Sequence, residues 1–462
     1  MSTSQITIIG GGISGLTTAW RLRTQGYSVE LFEQDSTVGG TMKTIHTDGW
    51  MIETGPNSAL ETTPLFKTLF TELDITNELV YANPAGTNRY ILRNGKLHPL
   101  PMSPGKFFQS KLWSLSGKLR LLKEPFVGKA EHEESIAEFV ERRLGREFLD
   151  YAINPFVAGI FAGAPEKLSV RAAFPKLYAL EEKYGGLIRG QIAGARERKK
   201  RGEVAKDRAQ MFSFKNGMQT LPNALAKALG SCVHTSSTVD TIEYDDTEKL
   251  YTLRYSSNGS TQTHTTNVVV VAVPASVASH VVKTFDDSLS QKIQNIYYPP
   301  VTEVFVGYKL EQVKRAMDGF GFLIPEKEQR NILGAIWSST LFDGRAPEGC
   351  VAITTFVGGS RQPEIAQQND NELLGTVKNE LQSLMQIEGD PIFTHITRWE
   401  KAIPQYHLGH LKIVEHISQF EKRHPGLFLS GNFRDGISVS DCIIQSEKIS
   451  KQVIEYFDSQ KT

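Results

Sequence analysis

Three glycines at fixed spacing, Gly10, Gly12 and Gly15, and an acid 18 residues beyond the last of them, Glu33, carry the clearest chemical signal in this chain. In G-x-G-x-x-G the first glycine permits a tight turn, the second lets the backbone approach a pyrophosphate, and the third lets a helix pack closely on a strand. The N–H groups that open the helix are free, and its dipole favours an anion. The acid falls where the partner of a ribose hydroxyl is needed. A carboxylate there would repel a 2′-phosphate, so FAD or NAD fits and NADP does not. Alone the glycine motif is weak, because glycines also gather in plain turns. Its setting strengthens it: the apolar run Ile6 to Ile9 precedes it, a helix-like stretch follows, and `YSVELFEQ` runs as a second strand into Glu33.

Those residues need elements to hold them. Residues 1 to about 60 read β-α-β and then a turn, and the alternation continues less clearly to about 100. Residues 101 to 210 read as mostly helical. Within them, `ARERKKRGEVAKDR` (195 to 208) is a charged stretch, most simply a solvated loop or helix end. `NVVVVAVP` (267 to 274) has the composition of a fully buried strand, `VTEVFVGYKL` and `CVAITTFVGG` are strand-like, and residues 427 to 449 read as strand, glycine turn, helix. The expected architecture is α/β (α+β overall). A Rossmann-like nucleotide domain is split over residues 1–100, 211–290 and 411–462; a mostly helical insertion fills 101–210, and a mixed-sheet substrate domain fills 291–410.

Composition narrows the class. At 462 residues two or three domains are expected. Lys and Arg total 51, as do Asp and Glu, so no global field attracts nucleic acid. Cys232, Cys350 and Cys442 lie far apart with no CxxC, which points to no metal site, no disulfide framework and a reducing compartment. The first strand begins too early to leave room for a leader, and no run of about 18 apolar residues exists to span a bilayer. The expectation is a cytoplasmic protein, peripheral on the cytoplasmic face of a membrane.

A second glycine pair, Gly39 and Gly40 in `DSTVGGTM`, separates FAD from NAD. Here the chain resembles the flavoprotein family of amine oxidases, carotenoid desaturases and protoporphyrinogen oxidases, in which such a pair continues around the FAD phosphates. Many members carry Arg or Lys after the pair; here it is Thr41. `VVVVAVP` and the closing `LFLSGNFRDGISVSDCI` match two further pieces of that family in the right order. The resemblance implies FAD as cofactor. It implies contacts from the first loop (Gly10, Gly11, Gly12, Ile13, Ser14 and Gly15), from Glu33 and Gln34, and from Gly40 and Thr41. It adds the loop Gly55, Pro56, Asn57 and Ser58, then Val239, and in the closing motif Gly431, Asn432, Ile437, Ser438 and Val439. `ETGPNSALE`, `NPFVAGIFAGAPEKLSVRAAFPKLYALEEKYGGLIRG` and residues 319 to 361 resemble protoporphyrinogen oxidases rather than their cousins, most closely the plant-like branch.

That resemblance gives further residues a role. Arg89 falls where the family places a propionate-binding arginine, and a guanidinium matches a carboxylate bidentately as lysine would not. The plain alternative is a surface arginine on a strand. Phe320, Leu323, Ile336 and Phe356 fall where a pyrrole ring is sandwiched, or else are ordinary core. Gly159 matches a glycine whose backbone faces the ring. Asn57 either contacts the reacting system at the flavin or is a turn residue after Pro56. The implied reaction is hydride transfer from a porphyrinogen bridge carbon to flavin with loss of a pyrrole N–H proton, three times over, with oxygen giving hydrogen peroxide and no dedicated base. Protoporphyrinogen IX is favoured over coproporphyrinogen III, whose four propionates would ask for cations on more than one side. An amine oxidase, a carotenoid desaturase and a non-enzymatic FAD scaffold are the other readings. Phe107, Phe108, Leu112, Trp113 and Leu115 beside Lys106, Lys111, Lys118 and Arg120 read either as an interfacial helix pair docking monotopically or as a helix packed on the core. A ferrochelatase partner and a homodimer are implied by the family only.

Overall fold

The computed structural model describes residues 4–201 and 209–460. The charged stretch 195–208 therefore lies largely outside the described residues; its first part closes the helix Leu187–Arg201.

The strand Ser4–Ile9 is apolar on both faces because both are covered. It pairs in parallel with Val29–Phe32 on one side and with the end of Ser260–Val271 on the other, placing Ile6 between Val29 and Val268. Val233–His234 extends the sheet beyond Val29–Phe32, and Leu427–Leu429 lies parallel beside Val269–Val271. Parallel strands buried on both faces read as continuous apolar runs, as `ITII` and `VVVV` do. Ser237–Asp245, Leu250–Ser257 and Ser260–Val271 form the antiparallel meander that completes the seven strands. Helices Ile13–Thr24 and Val439–Ser459 pack one face through Leu16, Leu22, Ile443 and Ile449. Helices Ala275–Val282, Asp287–Gln294 and His410–Arg423 cover the other.

A second seven-stranded sheet runs in the order Phe393–Trp399, Val301–Lys309, Cys350–Gly358, Gly334–Ile336, Gly319–Leu323, Asn88–Arg93, Lys96–Pro99. Strands 88–99, expected in the nucleotide domain, belong to this second sheet instead. Asn88–Arg93 is held by parallel pairing to Gly319–Leu323, a partner so remote in sequence that no local pattern announces it. The sheet has two different faces. Val304, Val306 and Tyr308 join a core under the helix Asp370–Met385, whereas Val301 and Phe305 look the other way, toward Ala158 and Trp50 respectively.

The region between residues 101 and 201 is helical, with Ile136–Arg143, Asn154–Phe161 and Pro175–Tyr184 its main short helices. A buried charge cluster joins them. Glu124 and Arg143 are both fully buried and 3.2 Å apart. Glu124 also accepts the N–H groups of Leu187 (2.6 Å) and Ile188 (3.1 Å), which caps the helix Leu187–Arg201. Glu181 binds Arg143 and Arg142 together.

The stretch 102–126 divides the two sequence readings between its side chains. Leu112 and Trp113 are buried, and Trp113 stacks on Phe148 at 4.8 Å, so they are core and not interfacial. Met102, Phe108, Leu115, Leu119, Leu122 and Phe126 are exposed, Phe126 at 84%. No helix among the described residues is long and apolar enough to cross a membrane.

Candidate active site

The phosphate loop is built as its glycines require. A Cβ on Gly15 would collide with the carbonyl oxygen of Gly10, so only glycine lets the helix start this close to the strand. Gly12 is the N-cap of Ile13–Thr24, with no side chain capping the helix, and a Cβ there would project into open space. The mouth of the loop is thus an open cradle lined by unsatisfied N–H groups, suited to a pyrophosphate. Ile13, Ser14 and Gly15 are buried behind it.

Glu33 is buried at the end of its strand. Its Oε2 accepts the N–H of Gly11 at 2.6 Å and its Oε1 accepts that of Asp35 at 2.8 Å. Two backbone donors hold the carboxylate still while leaving lone pairs for ribose hydroxyls. Gln34 is exposed beside it. The second glycine pair stacks on the first loop: Gly39 N–H donates to Gly11 O at 2.8 Å, and the Gly12 Cα lies 3.4 Å from where a Gly40 Cβ would be. Thr41 is exposed, and a Cβ on Gly55 would strike its carbonyl oxygen, so loop 55–58 lies directly against the pair. Ser237 N–H donates to Glu33 O at 2.8 Å; Val239, two residues on, packs half-buried against the cluster that includes Val273.

The closing motif reaches the same place. Gly431 adopts φ +127° with a would-be Cβ 3.1 Å from Val273 O, and the buried Ser430 hydroxyl beside it has no protein partner. Tyr406 locks this loop: its hydroxyl donates to Asn432 O and accepts the N–H of Gly436 at 2.8 Å. Ile437 is half-buried. Ser438 spends its hydroxyl as the N-cap of Val439–Ser459, accepting Asp441 N–H at 3.1 Å, so its free contribution is backbone. Cys442 faces the helix core, where burial pushes its thiol up to about 11, which removes the thiolate from consideration at neutral pH. Together the uncapped helix, the fixed carboxylate and the orphaned Ser430 hydroxyl fit a dinucleotide.

The expected substrate residues come together as one wall. Arg89, Leu323, Ile336 and Phe356 stand on four consecutive strands, with Gly321 opposite both Arg89 and Ile336, and Gly334 opposite both Leu323 and Phe356. Opposed residues share a face. Leu323, Ile336 and Phe356 are only half-buried, although the strands around them are buried. Gly159 closes the wall from the helix Asn154–Phe161: a Cβ there would lie 2.7 Å from Leu323 Cδ2. Phe320 sits at the irregularity between Gly319 and Gly321, which turns its ring under the Arg89 guanidinium, 5.6 Å from centroid to Cζ. Asn57 donates to Gly55 O at 3.1 Å, which is turn chemistry, and also lines a small, partly open cavity with Ile336, Thr354, Glu53 and Arg345.

Sequence reasoning missed the groups that lock the two parts together. Glu53 pairs with Arg345 at 2.7 Å with both side chains buried, and the Trp399 indole donates to Thr54 O at 2.7 Å. Arg361, its guanidinium lowered to about 10 by burial, binds Ile324 O at 3.0 Å and Asn154 Oδ1 at 2.7 Å, tying the wall to the helix that carries Gly159. Glu303 was missed too, although one acid in the apolar run `VTEVFVGY` was a signal.

A split dinucleotide fold joined to a sheet with an apolar, arginine-edged wall defines a flavin-dependent oxidoreductase. Residues 13–454 match the flavin containing amine oxidoreductase family, and the chain belongs to it. Within that family it is similar to protoporphyrinogen oxidase 2 of Arabidopsis thaliana, 33% identical over 99% of this chain and 95% of that one. It is also similar to the coproporphyrinogen III oxidase of Bacillus subtilis, 29% identical over 98% of each. A candidate protoporphyrinogen oxidase from Exiguobacterium sp. 255-15 shares the fold with TM-score 0.81 at 21% identity, covering 98% of this chain and 99% of that one. A reduced UDP-galactopyranose mutase does so with TM-score 0.73 at 17% identity, covering 98% and 94%. The expected family and the FAD cofactor are borne out.

Proposed function

We propose that this protein oxidises a porphyrinogen, protoporphyrinogen IX before coproporphyrinogen III, to the porphyrin. The observation that carries the reading is the wall itself. An apolar face of Leu323, Ile336 and Phe356 suits a flexible apolar macrocycle, and an exposed guanidinium at its edge suits a propionate. Among the described residues no carboxylate pairs with Arg89, so its fork is available. FAD, held by loops 10–15, 39–41 and 431–439, supplies hydride acceptance. The chain's own work is to fix the ring against the cofactor, shed water through its apolar wall, and anchor the propionate. The macrocycle N–H becomes acidic as the bridge carbon loses hydride, so the residues named here need not include a strong base.

The Bacillus subtilis relative favours coproporphyrinogen III as a second reading. Anaerobic mixing of the FAD-loaded protein with each porphyrinogen separates them. Faster bleaching of the flavin by protoporphyrinogen, reversed by air with formation of porphyrin and peroxide, is the expected result. Faster bleaching by coproporphyrinogen moves the assignment to the second reading, and bleaching by neither removes both. In the same reading oxygen is the acceptor, and the exposed Phe108, Leu115, Leu119, Leu122 and Phe126 beside Lys106, Lys118 and Lys123 dock on a membrane surface near the substrate entrance. Co-sedimentation with anionic liposomes, lost when Leu122 and Phe126 become serine, is the expected outcome. A ferrochelatase partner and a homodimer complete the reading, tested by pull-down and by sedimentation.

A further inference from the structure

One acid on the inner wall has no place in that reading. Glu303 stands on Val301–Lys309 opposite Phe356 on one neighbouring strand and Thr397 on the other. It therefore shares the inner face with Val301 and Phe305, away from the core under Asp370–Met385. It is 7% exposed, and its Oε2 is buried with no hydrogen-bond partner in the protein. Among the described residues no cation is paired with it. Arg345, on the facing elements, is already committed to Glu53 at 2.7 Å and to Ser213 Oγ at 2.6 Å. The Trp399 indole lies beside the Glu303 carboxyl and donates to Thr54 O, one residue before loop 55–58. The carboxyl thus stands where the substrate sheet is pinned to that loop.

A buried carboxylate with neither cation nor sufficient donors loses its charge rather than bear the desolvation. Burial, and then the like charge of Glu53, hold Glu303 well above the usual carboxylate range. Other ionisable groups on this face are Arg345, His395 opposite Phe305 on the adjacent strand and, further along the sheet, Arg89. A protonated carboxyl carries an O–H donor where a carboxylate has none.

We propose that Glu303 stands in the folded protein as an uncharged carboxylic acid at the joint between this sheet and loop 55–58, keeping the wall free of negative charge when the cofactor takes up an electron pair. This rests on the proposed binding of FAD and on the expected contact of loop 55–58 with it, but not on the identity of the substrate. An anion in that position would oppose reduction, whereas a neutral carboxyl would not.

The test uses FAD-loaded, full-length protein and no porphyrinogen. Infrared spectra from about pH 6 to about pH 8 should contain a protonated-carboxyl C=O band that is absent from Glu303→Gln. The flavin midpoint potential of Glu303→Gln, a neutral donor of similar shape, should equal that of the wild type. The proposal is overturned if the wild-type band is missing at neutral pH or if Glu303→Gln raises the potential as removal of an anion would. Should Glu303→Gln fail to fold, the wild-type band still decides. Because no porphyrinogen enters, a wrong substrate assignment would leave these readings untouched, and a failed infrared result would leave that assignment standing.

Discussion

Arg89 and Gly159 make opposite demands on the proposed pocket, one for charge and one for the absence of a side chain. Replacing Arg89 with alanine removes the cation proposed to anchor a propionate at that edge. The KM for porphyrinogen should rise by the equivalent of about 1–3 kcal/mol, with FAD content unchanged in the visible spectrum. An unchanged KM would place the anchor elsewhere. Gly159→Val should likewise raise KM while leaving flavin binding intact, because the added carbon would begin 2.7 Å from Leu323 Cδ2 and the rest would fill the space in front of it. Steady-state kinetics beside flavin absorbance checks both. These two residues were legible only through resemblance. An exposed strand arginine and a helical glycine have no local signature, and their juxtaposition across the wall is a product of sheet pairing. Glu33 was legible directly, because its distance from the glycines is fixed by one strand–helix–strand unit.

At the scale of elements, what the sequence announces is what is local. The first strand, turn and helix follow from an apolar run, three glycines and a helical stretch. The parallel strand Asn88–Arg93 does not, since its identity as part of the second sheet depends on Gly319–Leu323. The helical insertion was recognisable as helical, but not what joins its short pieces. Most of those helices are too short to be stable alone, and the buried cluster of Arg143 with Glu124 and Glu181 supplies the joint. Arg143→Leu would leave the buried Glu124 without its cation, while Glu181 keeps Arg142. Loss of one partner from such a cluster costs about 3–5 kcal/mol, so the variant should unfold at clearly lower urea concentration than the wild type. Glu182→Ala, on an exposed pair with Lys129, should not move the midpoint by more than about 1 kcal/mol.

Across the whole molecule, cofactor site and stability meet at His410. It opens the helix His410–Arg423, is almost fully buried, and stacks on the Tyr406 ring at 4.2 Å; Tyr406 in turn holds the closing loop through Asn432 and Gly436. Burial, reinforced by His407 and opposed by Glu133 and neighbouring carbonyls, lowers its imidazole to about 4. The unfolded chain binds a proton at this residue below about pH 6.5, while the folded protein takes it up only near pH 4. Between those values the unfolded state holds more protons, so stability falls as pH falls, and this contribution levels off once the folded imidazole is itself protonated. A depression of this size corresponds to roughly 3 kcal/mol across the window. The urea midpoint should therefore drop from neutral pH toward about pH 4, and His410→Gln should flatten that part of the slope. Since His410 packs on the Tyr406 that supports the closing loop, FAD should dissociate over the same window, read as rising free-flavin fluorescence before the far-UV signal of unfolding. A slope unaffected by His410→Gln would assign the acid sensitivity to the buried carboxylates instead, and simultaneous loss of flavin and fold would show that the closing loop does not open by itself.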